Sequence, residues 1–233
     1  MRKTFLRVCG AALVLGLLMC LMRFDIYASG NSSIVFSRSR EPTKKIALTF
    51  DDGPHPRYTE RILDILQKYN VKATFFVIGV NIQNYPEPLK KIYAAGHEVG
   101  NHTFSHSNNK NLDAENAKSE MEKCEDVIYE SIGIRPKLFR PPRGACNRDI
   151  IDAAKSMGYS VVLWSIDTLD WKGTSSKCIA QTVDKELHGG DIILMHDYTS
   201  VKNTTCDALE IIIPKLLKEG YQFVTVSELI EGG

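Results

Sequence analysis

The run "ALTFDDGPHP", Ala47–Pro56, decides how the rest of the chain is read. It begins as an apolar strand and stops at two adjacent carboxylates, a glycine and a proline, so a strand end and a turn coincide with two negative charges. Outward from it, short apolar runs alternate with amphipathic stretches. Strands are expected over Ile46–Phe50, Ala73–Ile78, His97–Gly100, Lys137–Phe139, Ser160–Trp164, Ile192–Met195 and Gln222–Val226. Helices are expected over Tyr58–Tyr69, Pro88–Ala95, Asp113–Ser131, Arg148–Met157, Cys178–Leu187 and Cys206–Lys218. This alternation argues for a single α/β domain with about seven parallel strands wrapped by helices, either a barrel or a doubly wound sheet. No internal repeat supports a solenoid.

The position of the unusual polar residues narrows the choice of chemistry. Asp51 and Asp52 follow "IALTF", His102 follows "HEVGN", Arg140 follows "KLF", Asp167 and Asp170 follow "VVLWS", and His196 follows "IILM". Each is expected just past the carboxyl end of a strand. In a barrel those ends converge on one face, where residues distant in sequence become neighbours.

Composition sets the outer limits. The 233 residues carry 29 Lys and Arg against 28 Asp and Glu, a formal net charge of +1, and no basic tract dense enough to follow a phosphate backbone. Nucleic acid is not an expected partner. In residues 1–29, Arg2, Lys3 and Arg7 precede an uncharged run from Val8 to Met22, read as a signal peptide or an uncleaved membrane anchor. That gives an exported, extracellular or cell-surface protein whose only membrane contact is this segment. Residues 30–43, rich in Ser, Asn and Arg, read as an exposed linker, with the folded domain over 44–233. Four of the six cysteines fall in the exported part, and their places near expected helix ends suggest Cys124 with Cys146 and Cys178 with Cys206, with buried free thiols as the alternative.

"HTFSH" sets His102 and His106 four apart, so that on a helical turn or a tight loop both imidazoles point the same way. With a carboxylate from a neighbouring strand end, Asp51 or Asp52, they make a two-His, one-Asp metal site with open positions. The other carboxylate is then free to act as a base. "FRPPRG" supplies Arg140, whose guanidinium can pair with that base, and a stiff segment able to aim a backbone N–H at developing negative charge. His196, held by a nearby Asp, is an acid for a leaving group, and Trp171 and Leu194 can line a small apolar pocket.

Taken in order, "TFDDGP", "HTFSH", "RPPRG", "DTLDW" and "LMH" resemble the five motifs of the polysaccharide deacetylases, the NodB-homology domain of carbohydrate esterase family 4. The resemblance runs from about Lys44 to about Glu231. It implies a distorted (β/α) barrel that removes acetyl from an N-acetylated polysaccharide, with one divalent ion, zinc or another transition metal such as cobalt. It also implies Asp51 as general base, Asp52, His102 and His106 as metal ligands, and Arg140 as the brace of the base. The residue after Pro142, here Arg143, matches the backbone oxyanion donor, Asp170 the carboxylate that tunes the catalytic His196, and Trp171 and Leu194 the acetyl pocket. Many relatives carry an aromatic residue where this chain has Arg143, so a cation at the rim is expected to favour an anionic glycan containing muramic acid. Peptidoglycan is the expected polymer, with chitin oligomers the nearest alternative and acetylated xylan a further one. A non-catalytic glycan-binding module would be expected to have lost a ligand or the base, and an iron oxygenase with the same triad gives no reason for the extra Asp51 or for His196 with Asp170.

Overall fold

A computed structural model describes residues 34–106, 113–198 and 204–231. Its strands are β1 (Val35–Phe36), β2 (Lys45–Gly53), β3 (Thr74–Val77), β4 (Glu98–Asn101), β5 (Leu138–Phe139), β6 (Ser160–Val162), β7 (Ile166–Asp167), β8 (Ile192–His196) and β9 (Gln222–Phe223). Between and after them run α1 (Tyr58–Lys68), α2 (Gly79–Asn84), α3 (Pro86–Ala94), α4 (Ala114–Ile132), α5 (Arg148–Ser156), α6 (Ser176–Glu186), α7 (Thr205–Lys218) and α8 (Val226–Glu231). Several helices start where a side chain accepts an otherwise orphaned backbone N–H: Asp113 from Asn116, Asn147 from Ile150 and Ser175 from Cys178. Each such cap stabilises by roughly 1 kcal/mol.

All strand pairings are parallel, in the order β1-β6-β5-β4-β3-β2-β8-β7, with β9 beside the start of β2. β6 lies near one end of that order and β7 at the other, yet only Leu163, Trp164 and Ser165 separate them in the chain. The sheet therefore curls until its two ends meet along one run of backbone, which makes the expected distorted barrel.

β2 shows how the period of two builds both layers of the core. Ile46, Leu48 and Phe50 face outward into a cluster with Ile62 and Leu66 of α1 and Leu209 and Ile212 of α7, and Phe50 stacks on Phe75 at 5.0 Å. Ala47 faces inward into a separate cluster with Phe76, Leu138, Val162 and Ile192, closed below by Val226 and Leu229 of α8. At roughly 1.5–3 kcal/mol per fully buried large apolar side chain, these layers dominate the stability. Asp51 stands two residues beyond Thr49 on the same inward row, so the alternation that packs the core also carries a carboxylate to the barrel mouth.

Several expectations change. β2 continues through Asp51 and Asp52 to Gly53, and β8 includes His196, so these residues end strands rather than follow them. Residues 35–39 are tied to the fold although Ser37 and Arg38 are exposed: β1 pairs with β6, and Arg38 donates to the fully buried Asp191 at 2.7 Å. An uncompensated Asp191 would cost several kcal/mol, which ties this segment to the fold. Residues 1–29, read as the export segment, lie outside the described residues. Among those described, no helix is long and apolar enough to cross a membrane. The cysteine pairing is also corrected, because all four cysteines are free. Cys124 donates to the carbonyl of Val77 in the main core, whereas Cys146 packs in a different cluster, and Cys178 is exposed whereas Cys206 is buried. α2, α8 and the short β7 are additional elements, too brief or too weakly periodic to be read in advance.

Candidate active site

Adjacent residues on a strand face opposite ways, yet Asp51 and Asp52 both reach the barrel mouth. A bulge resolves this. Asp51 pairs with Phe76 and Gly53 with Val77, so Asp52 is the extra residue, and its φ of 72° turns its side chain back towards the mouth. An Asp tolerates that left-handed conformation better than most residues. Asn81 of α2 holds the bulge by donating from Nδ2 to the Asp52 carbonyl at 2.8 Å. Gly53 permits the next step, since a Cβ there would collide with the Asp197 carboxylate.

His102 and His106 lie on a tight loop, not on a helix. Asn101 accepts from the Thr103 N–H at 2.9 Å and Thr103 Oγ1 from the His106 N–H at 3.1 Å, while Thr103 and His106 have positive φ. His102 Nδ1 lies 2.7 Å from the Arg140 carbonyl. A carbonyl only accepts, so this nitrogen carries the proton and Nε2 faces the carboxylates. Asp52 Oδ1 then lies 3.5 Å from His102 Nε2 and 3.3 Å from His106 Nε2.

These three atoms pass a test for a metal. They lie within 4.8 Å of one another, and tetrahedral ligands about 2.0–2.1 Å from zinc are themselves about 3.3–3.4 Å apart. Asp52 Oδ1 is buried, with no hydrogen-bond partner among the described residues. Such an orphaned oxygen costs about 1–3 kcal/mol or more, unless a cation meets it. Burial works against the Asp52 charge, but the closeness of His102 and the fields of His196 and His106 hold its carboxyl below the ordinary range. Burial and the nearby His102 push His106 down, which favours the neutral imidazole a metal needs.

Asp51 is held apart from this cluster. Its Oδ1 accepts from Arg140 Nη1 at 2.8 Å, and its Oδ2 is 3.7 Å from His102 Nε2. Arg140 is fully buried, with Nη1 also donating to Thr49 Oγ1, Nε to the Val162 carbonyl and Nη2 to the Leu163 carbonyl. Its guanidinium lies 4.1 Å above the Phe76 ring. Asp51 is thus fixed in place by a buried guanidinium through one oxygen, and its other oxygen lies outside that pair.

On the neighbouring strand β8, where His196 is the register partner of Asp51, His196 Nδ1 is 2.8 Å from Asp170 Oδ1, and its backbone N–H donates to Asp170 Oδ2 at 2.8 Å. Thr205 Oγ1 donates to the same Oδ2, so the buried Asp170 is fully engaged. Burial alone would depress the imidazole, but the Asp170 hydrogen bond and charge, with Asp51 and Asp52, bring it up to about 9. Asp167, the other acid of that segment, caps its own turn by accepting from the Leu169 N–H.

The remaining site residues are scattered by exposure. Arg143 is exposed, with φ 59° inside the turn Pro142–Gly144, and its charge reaches His106. Pro142 is partly buried and Leu194 is buried on β8. Trp171, expected to line a pocket, is 44% exposed beside Asp170, with the Lys172 ammonium over its ring. Residues not singled out in the sequence are Asn81, Thr59 and Asp197. Thr59 Oγ1 donates to Asp197, and the Asp197 N–H donates to the Asp51 carbonyl, joining the ends of β2 and β8. Asp197 directly follows His196, and that adjacency was the available signal.

Comparison with known proteins agrees with this geometry. A sequence profile described as polysaccharide deacetylase matches residues 38–162. The chain is 44% identical over 195 residues to a peptidoglycan-N-acetylglucosamine deacetylase of Bacillus cereus, covering 80% of this chain and 88% of that protein. It is 43% identical over 192 residues to a peptidoglycan-N-acetylmuramic acid deacetylase of Bacillus subtilis, covering 82% of this chain but only 40% of that longer protein. A crystal structure of a peptidoglycan N-acetylglucosamine deacetylase superposes with a TM-score of 0.82 at 35% identity, over 85% of this chain and 93% of that one.

Proposed function

The chain belongs to the polysaccharide deacetylase family, and from that premise we propose that it hydrolyses the acetamide of N-acetylated sugars in peptidoglycan, releasing acetate. The observation that carries this reading is a partly buried Asp–His–His cluster lying beside a separately braced carboxylate. Both relatives described above are named for acetylated sugars of peptidoglycan.

Asp52, His102 and His106 are the residues that would hold the ion, which we take to be zinc from its mixed nitrogen and oxygen donors. When bound, it supplies Lewis-acid polarisation to the acetamide carbonyl and the attacking water. Asp51 takes the proton from that water, and Arg140 keeps it aimed. The backbone N–H of Arg143 donates to the oxyanion. His196 gives its proton to the departing nitrogen, so acetate and a free amino sugar result. Trp171 and Leu194 bound the acetyl group. The uncharged run in residues 8–22 suits export to where that polymer lies.

An acid works only while protonated, so activity that depends on His196 is present below its pKa and lost above it. Asp170→Asn is therefore expected to move the alkaline limb of the pH–rate profile from about 9 towards the ordinary imidazole value of 6.5. An unmoved limb would remove His196 and Asp170 from this role.

Acetate release by the full chain, measured on purified peptidoglycan and on chitin oligomers, tests the function itself. Turnover of peptidoglycan is expected to exceed that of chitin oligomers, and failure to release acetate from either would refute the reading. Arg143 supplies a cation at the rim, so Arg143→Tyr is expected to lower the preference for acidic over neutral acetylated oligosaccharides severalfold. An equal ratio in both proteins would dissociate the Arg143 side chain from substrate choice.

A further inference from the structure

Three residues beyond Asp52, His55 is the centre of a group of rings drawn from three segments. It lies parallel to Tyr198, with centroids 4.9 Å apart and an angle of 6°, and sits 4.8 Å from Tyr58 and 6.4 Å from Tyr85. None of these rings belongs to the apolar clusters of the core, and Tyr85 and Tyr198 are 45% and 41% exposed.

The group is built, not incidental. The His55 N–H donates to Thr59 Oγ1 at 2.8 Å, and Thr59 in turn donates to Asp197, so the loop after β2 is tied to the residue preceding Tyr198. His55 Nδ1 accepts from the backbone N–H groups of Arg57 and Tyr58 at 3.2 and 3.3 Å. The ring is therefore neutral, with its proton on Nε2. These rings lie outside the core clusters and two of them are half exposed, so packing of the fold alone does not require them.

Its place says which partner. Three residues of chain span at most about 11 Å, so His55 cannot be far from Asp52, and Tyr198 is two residues from His196. The rings thus adjoin the mouth on the side where β2 and β8 end. We propose that His55, Tyr85 and Tyr198 form a stacking platform for the sugar unit next to the one whose acetamide is cleaved. A pyranose offers one face of polarised C–H groups to the negative face of an aromatic ring, while its hydroxyls meet the phenol groups and His55 Nε2–H at the rim. Since the rings are already ordered, little conformational entropy is lost when the sugar docks. This subsite rests on the deacetylase reading for its occupant, but binding can be measured apart from turnover.

The probe is a pentasaccharide of N-acetylglucosamine, titrated by calorimetry into the full chain carrying Asp51→Asn, so that no sugar is consumed. Adding Tyr198→Ala, or Tyr85→Ala, is expected to weaken binding about three- to tenfold each. Tyr198→Phe, which keeps the ring, is expected to retain affinity within about twofold. Equal affinity in the Ala variants, equal loss in Phe and Ala variants, or no binding in the Asp51→Asn parent would each overturn the platform. A sedimentation shift to a smaller species in Tyr198→Ala, with sugar binding intact, would assign the surface instead to a second copy of this chain. If the ring variants weaken binding while the wild-type chain releases no acetate, the platform stands and the deacetylase reading falls.

Discussion

Replacing Asp51 with Asn is expected to lower acetate release by a factor of about 10² to 10⁴, the range for losing a positioned proton acceptor. The bound metal should remain, because Asp52 and not Asp51 clusters with both histidines, while Asp51 is engaged by Arg140. Some stability is lost as well. Arg140 would keep its charge in the interior with carbonyls and Thr49 but no anion, and breaking a buried pair costs up to about 3–5 kcal/mol. Retained metal, measured on the same sample as the rate, shows that the chain has folded and that the proton acceptor alone is missing. Wild-type turnover in this variant would remove Asp51 from the chemistry.

The second large effect is expected at His106. Its φ of 49° favours Asn over Ala as a replacement, since Asn accepts the left-handed backbone while its short amide cannot reproduce the imidazole nitrogen. His106→Asn removes one of three protein donors. Changes to groups that merely orient a ligand typically cost 10- to 100-fold in metal affinity, so losing the ligand itself should exceed about 100-fold. Acetate release should fall with it and recover in part at high added metal. A His106→Asn protein that binds metal as tightly as wild type would mean that the ion is held elsewhere.

The two roles given to neighbouring aspartates also mark the border between what the sequence reveals and what it hides. The inward row of β2 is legible from alternation, and with it the placement of Asp51 at the mouth. The same alternation sends Asp52 to the opposite face, and only the bulge brings it back. A bulge leaves no period to detect, so alternation alone assigns neither carboxylate as the ligand, and the family resemblance is what points to Asp52. Arg140 was legible as a cation after a strand, but its burial among the Val162 and Leu163 carbonyls depends on how the sheet curls. β1 went unread because two residues carry no periodicity, and its anchor, Arg38 to Asp191, spans 153 positions. The cysteine pairing failed for a related reason, since nearness to helix ends says nothing about which side chains share a core. The rings around His55 come from segments up to 143 positions apart, and no local pattern announces them.

The most direct measurement is anomalous diffraction at the zinc edge from crystals of the protein grown with zinc. A single strong peak is expected within coordination distance of Asp52 Oδ1, His102 Nε2 and His106 Nε2, with Asp51 outside that shell and still bonded to Arg140. A peak ligated by Asp51 in place of Asp52, or one away from both histidines, would contradict the division of labour on which the proposed chemistry depends.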